Sequence, residues 1–170
     1  MSKEQREESR EQRADCKKQR RLVFLCSLLI AHCSFFFCFA QSTATEIETL
    51  LGTDAITYAQ AARFLLEASD TMVTYDMDEA FRYAAERNWL PKNVAANDVA
   101  RLDGISLLLM QSFGISGGLM YSLTKSPHYA YRELAYNNIL QGRIDPAMNV
   151  SGAMLLFITS RMLSMQEVLE

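Results

Sequence analysis

Two stretches of this chain repeat one another fifty residues apart. FRYAAERNWLPKNV (81–94) lies over YRELAYNNILQGRI (131–144), pairing Phe81 with Tyr131, Arg82 with Arg132, Ala85 with Ala135, Asn88 with Asn138, Leu90 with Leu140 and Val94 with Ile144. After a two-residue difference the register resumes at 48, with Asp103-Gly104 over Ser151-Gly152 and LLLM (107–110) over LLFI (155–158). ITYAQAARFLL (56–66) matches the later half of the same unit, setting Thr57 beside Asp103 and Ser151. A unit of 46–50 residues cannot bury its apolar face alone, so copies must pack on each other.

The local signals inside each unit are helical, with apolar residues recurring at spacings of three and four. Thr57 is expected to cap a helix through about Ser69, burying Ala61, Ala62, Leu65 and Leu66. Asp76 and Glu79 have capping-box spacing and open a second helix to about Asn88, where asparagine suits the left-handed closing conformation. Asp103 is expected to open a third, ending near Gly114. Ser126-Pro127 starts a fourth, to about Asn138, and Ser151 caps a fifth through about Ser164. GLMYSLT, after Gly117, reads as a short extra helix. No segment alternates like a strand. The fold class is all-α: tandem helix-loop-helix repeats, one half unit plus two full ones, across 56–170.

The unit SPHYAYRELAYNNILQGRIDPAMNVSGAMLLFITSRML (126–163) resembles the S-layer homology (SLH) domain. The shared pattern is an aromatic-Ala start, a helix closed by a small residue and an aliphatic pair, Gly, a Pro-containing loop and a capped second helix. The resemblance implies three units in a pseudo-threefold helical prism that anchors bacterial proteins to envelope polymers. The family's second helices open with a Thr-Arg-Ala-Glu type motif whose Arg and Glu contact the polymer. Here the corresponding openings are Thr57-Tyr58-Ala59-Gln60, Asp103-Gly104-Ile105-Ser106 and Ser151-Gly152-Ala153-Met154. The cap survives and the Arg-Glu pair does not, so the resemblance carries the fold without the polymer site.

The first forty residues read as an address. Leu22–Ala40 is an uncharged apolar run preceded by Lys17, Lys18, Arg20 and Arg21. This pattern is either a secretory signal cut between Ala40 and Gln41, or an uncleaved anchor, since 19 residues about span a bilayer. Both readings export the rest of the chain: 41–55 as a linker, 56–170 as the repeat domain, in the periplasm or cell envelope. Lipid attachment is rejected, because Leu25, His32 and Phe37 precede the cysteines of the run where a small residue is needed.

Composition removes several chemistries. All four cysteines (Cys16, Cys26, Cys33, Cys38) lie in the leader, so a thiol nucleophile, a CxxC pair or a disulfide in the main domain is excluded. Residues 41–170 carry 9 bases against 15 acids, and only Lys92 and Lys125 are lysines, which argues against nucleic acid as a partner. His128 is the only histidine after the leader, with no acid or nucleophile spaced to make it catalytic. Asp76, Asp78 and Glu79 suit a helix's first turn, and Gly114–Gly118 lacks the Lys-Ser/Thr of a phosphate loop. Met154, Met162 and Met165 read as core filler or as a contact face.

Tyr129, Arg132 and Tyr136 share a helical face and form the candidate partner or glycan patch. Arg82 and Arg132 recur in register, with Glu86 and Tyr136 the expected partners one turn along. The expected function is a non-catalytic envelope adaptor acting through association with a protein or a second copy; the alternative is a wall-glycan module, and a wall hydrolase using Asp76 or Glu79 ranks below both. No cofactor or metal is expected.

Overall fold

The first elements of the chain's architecture are set by side chains that satisfy helix ends. In the computed structural model, which describes residues 44–142 and 145–169, the helices are α1 (44–51), α2 (Tyr58–Ala68), α3 (Met77–Glu86), α4 (Leu102–Ser112), α5 (Leu119–Thr124), α6 (Pro127–Tyr136) and α7 (Gly152–Leu169). The apolar run 22–40, the Ala40–Gln41 position, Arg143 and Ile144 lie outside the described residues. From Glu48 onward the described residues form one compact unit, which holds α2 through α7. Among the described residues there is no strand, only the isolated antiparallel bridges Thr57–Val99 and Arg101–Asn149, so the protein is all-α. No helix of the described residues is long and apolar enough to cross a membrane.

Thr57 caps α2 through a full capping box: Gln60 N donates to its Oγ1 (3.3 Å), and Thr57 N donates to Gln60 Oε1 (2.9 Å). Asp76 Oδ1 accepts from the amides of Asp78 and Glu79 at the start of α3. Asn88 and Asn138 both close helices with φ near +57°, and the next residue's amide returns to the preceding turn, Trp89 N to Ala84 O and Ile139 N to Leu134 O. Ser151 Oγ accepts from Met154 N and opens α7.

Two expectations are corrected. Asp103 does not open α4: Arg101 is the N-cap, Asp103 stands one residue inside the helix, and its Oδ1 accepts from Gly104 N (2.8 Å). α7 continues past Ser164 to Leu169, because Met165 still packs on the core and Gln166 Nε2 reaches the Phe113 carbonyl.

The core forms where α2, α4 and α7 leave three short extended segments. Ile56 N donates to Val150 O (2.9 Å), Val150 N to Ala100 O (3.0 Å) and Ala100 N to Ile56 O (2.8 Å), a closed ring among three fully buried residues. Two residues on, Tyr58 N donates to Asp98 O, Leu102 N to Met148 O and Gly152 N to Thr53 O. The helices then bury Ala61 and Leu65, Ile105 and Leu109, and Leu155 and Ile158. α3 packs on α2, α6 on α4, and α2 touches both α4 and α7. The buried hydroxyls of Ser106, Ser112 and Thr159 each donate to a carbonyl of their own helix, so none is left unpaired.

Gly104 is required by a close approach. A Cβ there would stand 2.8 Å from Tyr58 Cε1 and 2.9 Å from Pro91 Cγ, and against the Tyr58 hydroxyl. Alanine is normally the better helix former, by about 1 kcal/mol. Overpacking costs about 1–3 kcal/mol, and with three contacts under 3.0 Å on the buried Tyr58 and on Pro91 the upper part of that range applies, so Gly104→Ala is expected to destabilise the fold by about 1–2 kcal/mol in urea unfolding. An unchanged or raised midpoint would contradict this packing.

A candidate cleft lined by lysines and tryptophan

Between the turn that follows α3 and the junction of α5 with α6 lies a cleft of about 730 Å³. The left-handed Asn88 reverses the chain after α3 and brings Arg87, Trp89 and Lys92 to one wall. Arg87 is held over the Tyr83 ring (3.5 Å from its centroid) and its Nη1 donates to the Tyr83 carbonyl. Trp89, the chain's one tryptophan, meets Tyr83 edge-on at 5.9 Å. Leu107 and Gln111 of α4 line the interior, and Gln111 Nε2 donates to the Tyr121 hydroxyl (2.8 Å). On the other wall Lys125, in the left-handed conformation at the end of α5, leads into Ser126 and Pro127 of the α6 start.

The charge of this cleft runs against that of its surroundings. Residues 41–170 hold 15 acids and two lysines; both lysines and Arg87 line the cleft, and among the described residues no carboxylate does. Among the described residues neither lysine has a carboxylate partner. The α6 start adds to this field. Ser126 makes no side-chain cap, whereas Asp76 fills that role on α3.

The sequence-based candidates fall elsewhere. Tyr129 is half-buried on the core with its ring edge-on to His128 (5.4 Å), which leaves Arg132 exposed and Tyr136 84% exposed along α6. None of the three lines the cleft. Arg82 Nε donates to the Asp78 carbonyl one turn back, where Glu86 was the expected partner. Asp76 is occupied as a cap, and Glu79 accepts from Thr74 Oγ1. Among the described residues no three His, Cys, Asp or Glu side chains gather to hold a metal. Gly117 and Gly118 pack closely: a Cβ on either would meet Tyr121 or Glu133. Met162 is fully buried, and Met154 and Met165 pack half-buried against the core. Comparison with family models, with curated proteins and with solved structures finds no match.

Burial holds the Tyr121 hydroxyl above the ordinary tyrosine value of 10.0, an effect that the Gln111 hydrogen bond reduces; burial likewise raises Tyr58, whose oxygen accepts from Arg101 N. A folded-state pKa above the unfolded one means both rings stay protonated in the fold while the unfolded chain begins to ionise. Their contribution is therefore complete below about pH 10 and lost as pH climbs through the raised folded values. Urea midpoints are expected to hold from about pH 8 to pH 9.5 and to fall above about pH 10, less steeply in the Tyr58→Phe/Tyr121→Phe variant. The same alkaline loss in that variant would refute the assignment.

Proposed function

We propose that the protein is an exported, non-catalytic assembly module built from tandem helix-loop-helix units similar to SLH repeats. The apolar run Leu22–Ala40 after four basic residues supports export. The ring joining Ile56, Ala100 and Val150 supports the repeat reading, because each segment gives and accepts the same bond in turn. The paired left-handed Asn88 and Asn138 and the packing of α3 on α2 and α6 on α4 support it as well. In this reading the register between the two full units is fifty throughout: Asp76 answers to Ser126 and Arg101 to Ser151, so the two-residue shift disappears. The reset opening of α4, Arg101-Leu102-Asp103-Gly104, still lacks an Arg-Glu pair at the second and fourth places.

One observation carries the assembly role. α2 and α4 are each covered by the helix that packs on them, while on α7 the end of α1 meets only the first turn, Leu50 against Gly152, and Phe157 and Leu163 further along stay exposed. At the same register Leu107 and Phe113 of α4 are 2% and 8% exposed, but Phe157 and Leu163 of α7 are 52% and 40% exposed. Arg161 stands over the Phe157 ring (5.6 Å), a partial cover for an apolar face. An apolar helix from a second polypeptide would complete what α3 and α6 supply to α2 and α4.

A photo-reactive phenylalanine analogue placed at Phe157 in the full-length chain, irradiated in intact cells, tests this directly. The same analogue at Tyr75, 72% exposed, is the control. A discrete adduct from position 157 alone is expected, of twice the chain mass for self-association or of another fixed mass for an envelope protein. No adduct, or the same adducts from both positions, would remove the reading.

A further inference from the structure

We propose that α5 docks the compact unit on an anionic lipid bilayer, with Leu119, Met120 and Leu123 entering the interface and Lys92 and Lys125 meeting the phosphate headgroups. This rests on residues other than Phe157 and Leu163 of α7, so either role stands without the other. It is also separate from the openings of α2, α4 and α7, where the family resemblance puts polymer contact.

α5 is held with its apolar side outward. Tyr121 is its one buried residue: the ring packs against Gly117, and the hydroxyl accepts from Gln111 Nε2 of α4 (2.8 Å). At helical spacing residues 119, 120 and 123 fall on the side opposite Tyr121. Leu119 and Leu123 are accordingly 81% and 80% exposed, and Met120 55%. Fixing Tyr121 inward therefore turns three apolar side chains into solvent, an arrangement with a cost unless something apolar covers them.

Charge says what covers them. Residues 41–170 carry 15 acids, yet none lies between Asp103 and Glu133, the stretch that holds α5, Lys125 and Arg132. Glu133 itself is half-buried against Gly117 and Gly118. α5 runs directly into Lys125, and Lys92 lines the same cleft; both lysines are exposed, and among the described residues neither has a carboxylate partner. An apolar helix side bordered by unpaired lysines, in an otherwise acidic unit, complements a surface that is apolar within and negative at its rim. Area points the same way. Three side chains on a six-residue helix fall well short of the roughly 800 Å² that each partner contributes to a stable protein interface. A bilayer takes up a small apolar projection without needing a reciprocal surface.

The test places an environment-sensitive fluorescent amino acid at Leu123 of the full-length chain, with Val73, 71% exposed, as the control position. The chain is reconstituted with vesicles of phosphatidylcholine alone or mixed with phosphatidylglycerol, each with and without brominated acyl chains, which quench only a fluorophore inside the bilayer. The same leader is present in every arm, so the comparison reads α5 and not residues 22–40. Bromine quenching is expected at position 123 in the anionic vesicles, several-fold weaker in the neutral ones, and at position 73 in neither. Lys92→Gln/Lys125→Gln should lower the ratio of docked to free α5 on anionic vesicles by at least about tenfold. Leu119→Ser/Met120→Ser should abolish quenching on both kinds of vesicle. Each variant changes exposed side chains only, which guards against a folding artefact. No quenching at 123, equal quenching at both positions, or quenching indifferent to lipid charge and to both lysines would overturn the proposal. A blue shift at 123 that grows with protein concentration without bromine quenching would overturn it in favour of a second copy of the chain.

Discussion

Everything in the compact unit hangs on three backbone amides that have no water to bond. Ile56, Ala100 and Val150 are fully buried, and each passes its N–H to the next one's carbonyl until the ring closes. A buried amide left unpaired costs about 1–3 kcal/mol, so the three segments must arrive together or bear that cost. The ring also fixes direction. Two residues further on, the first amides of α2, α4 and α7 bond to the carbonyls of Asp98, Met148 and Thr53, so the three helices depart from one centre. Gly152 is part of the same constraint, because a Cβ there would run into the Leu50 carbonyl.

Much of this is legible in the sequence because the caps are local chemistry. Thr57, Asp76 and Ser151 accept from amides two or three residues ahead, and the asparagines at 88 and 138 take the left-handed turn that a small polar side chain tolerates. The start of α4 misleads for the same reason. Asp103 looks like a cap in sequence, but the bonds of Leu102 N to Met148 O and Asp103 N to Pro146 O come from a segment more than forty residues away. Those two long-range bonds take the first two amides, as at α2, and the third, which Thr57 takes at α2, goes at α4 to Asp103 Oδ1 from Gly104 N, which lets Arg101 occupy the cap position. Local pattern records the side chain and not the distant carbonyl.

The cleft is illegible for a related reason. Lys92 and Lys125 stand 33 residues apart and share no periodicity; only the reversal at Asn88 and the left-handed Lys125 bring them to opposite walls of one cavity. Their scarcity is the one available signal. The Tyr129, Arg132 and Tyr136 face illustrates the opposite error: regular spacing on a helix gathers residues in a diagram, yet α6 turns Tyr129 toward the core and leaves Tyr136 in solvent. The same limit applies to α7, whose sequence is apolar along its length; which of those residues stay exposed depends on whether another helix covers them, as it does on α2 and α4.

If the ring is the closure on which the unit depends, its three amides must open only when the whole unit opens. Amide hydrogen exchange of Ile56, Ala100 and Val150, followed by NMR, measures that directly. The three are expected to exchange together, as slowly as any amide in the unit, with an opening free energy equal to that of global unfolding. Exchange of Val150 through a separate, easier opening, while Ile56 and Ala100 stay protected, would contradict it.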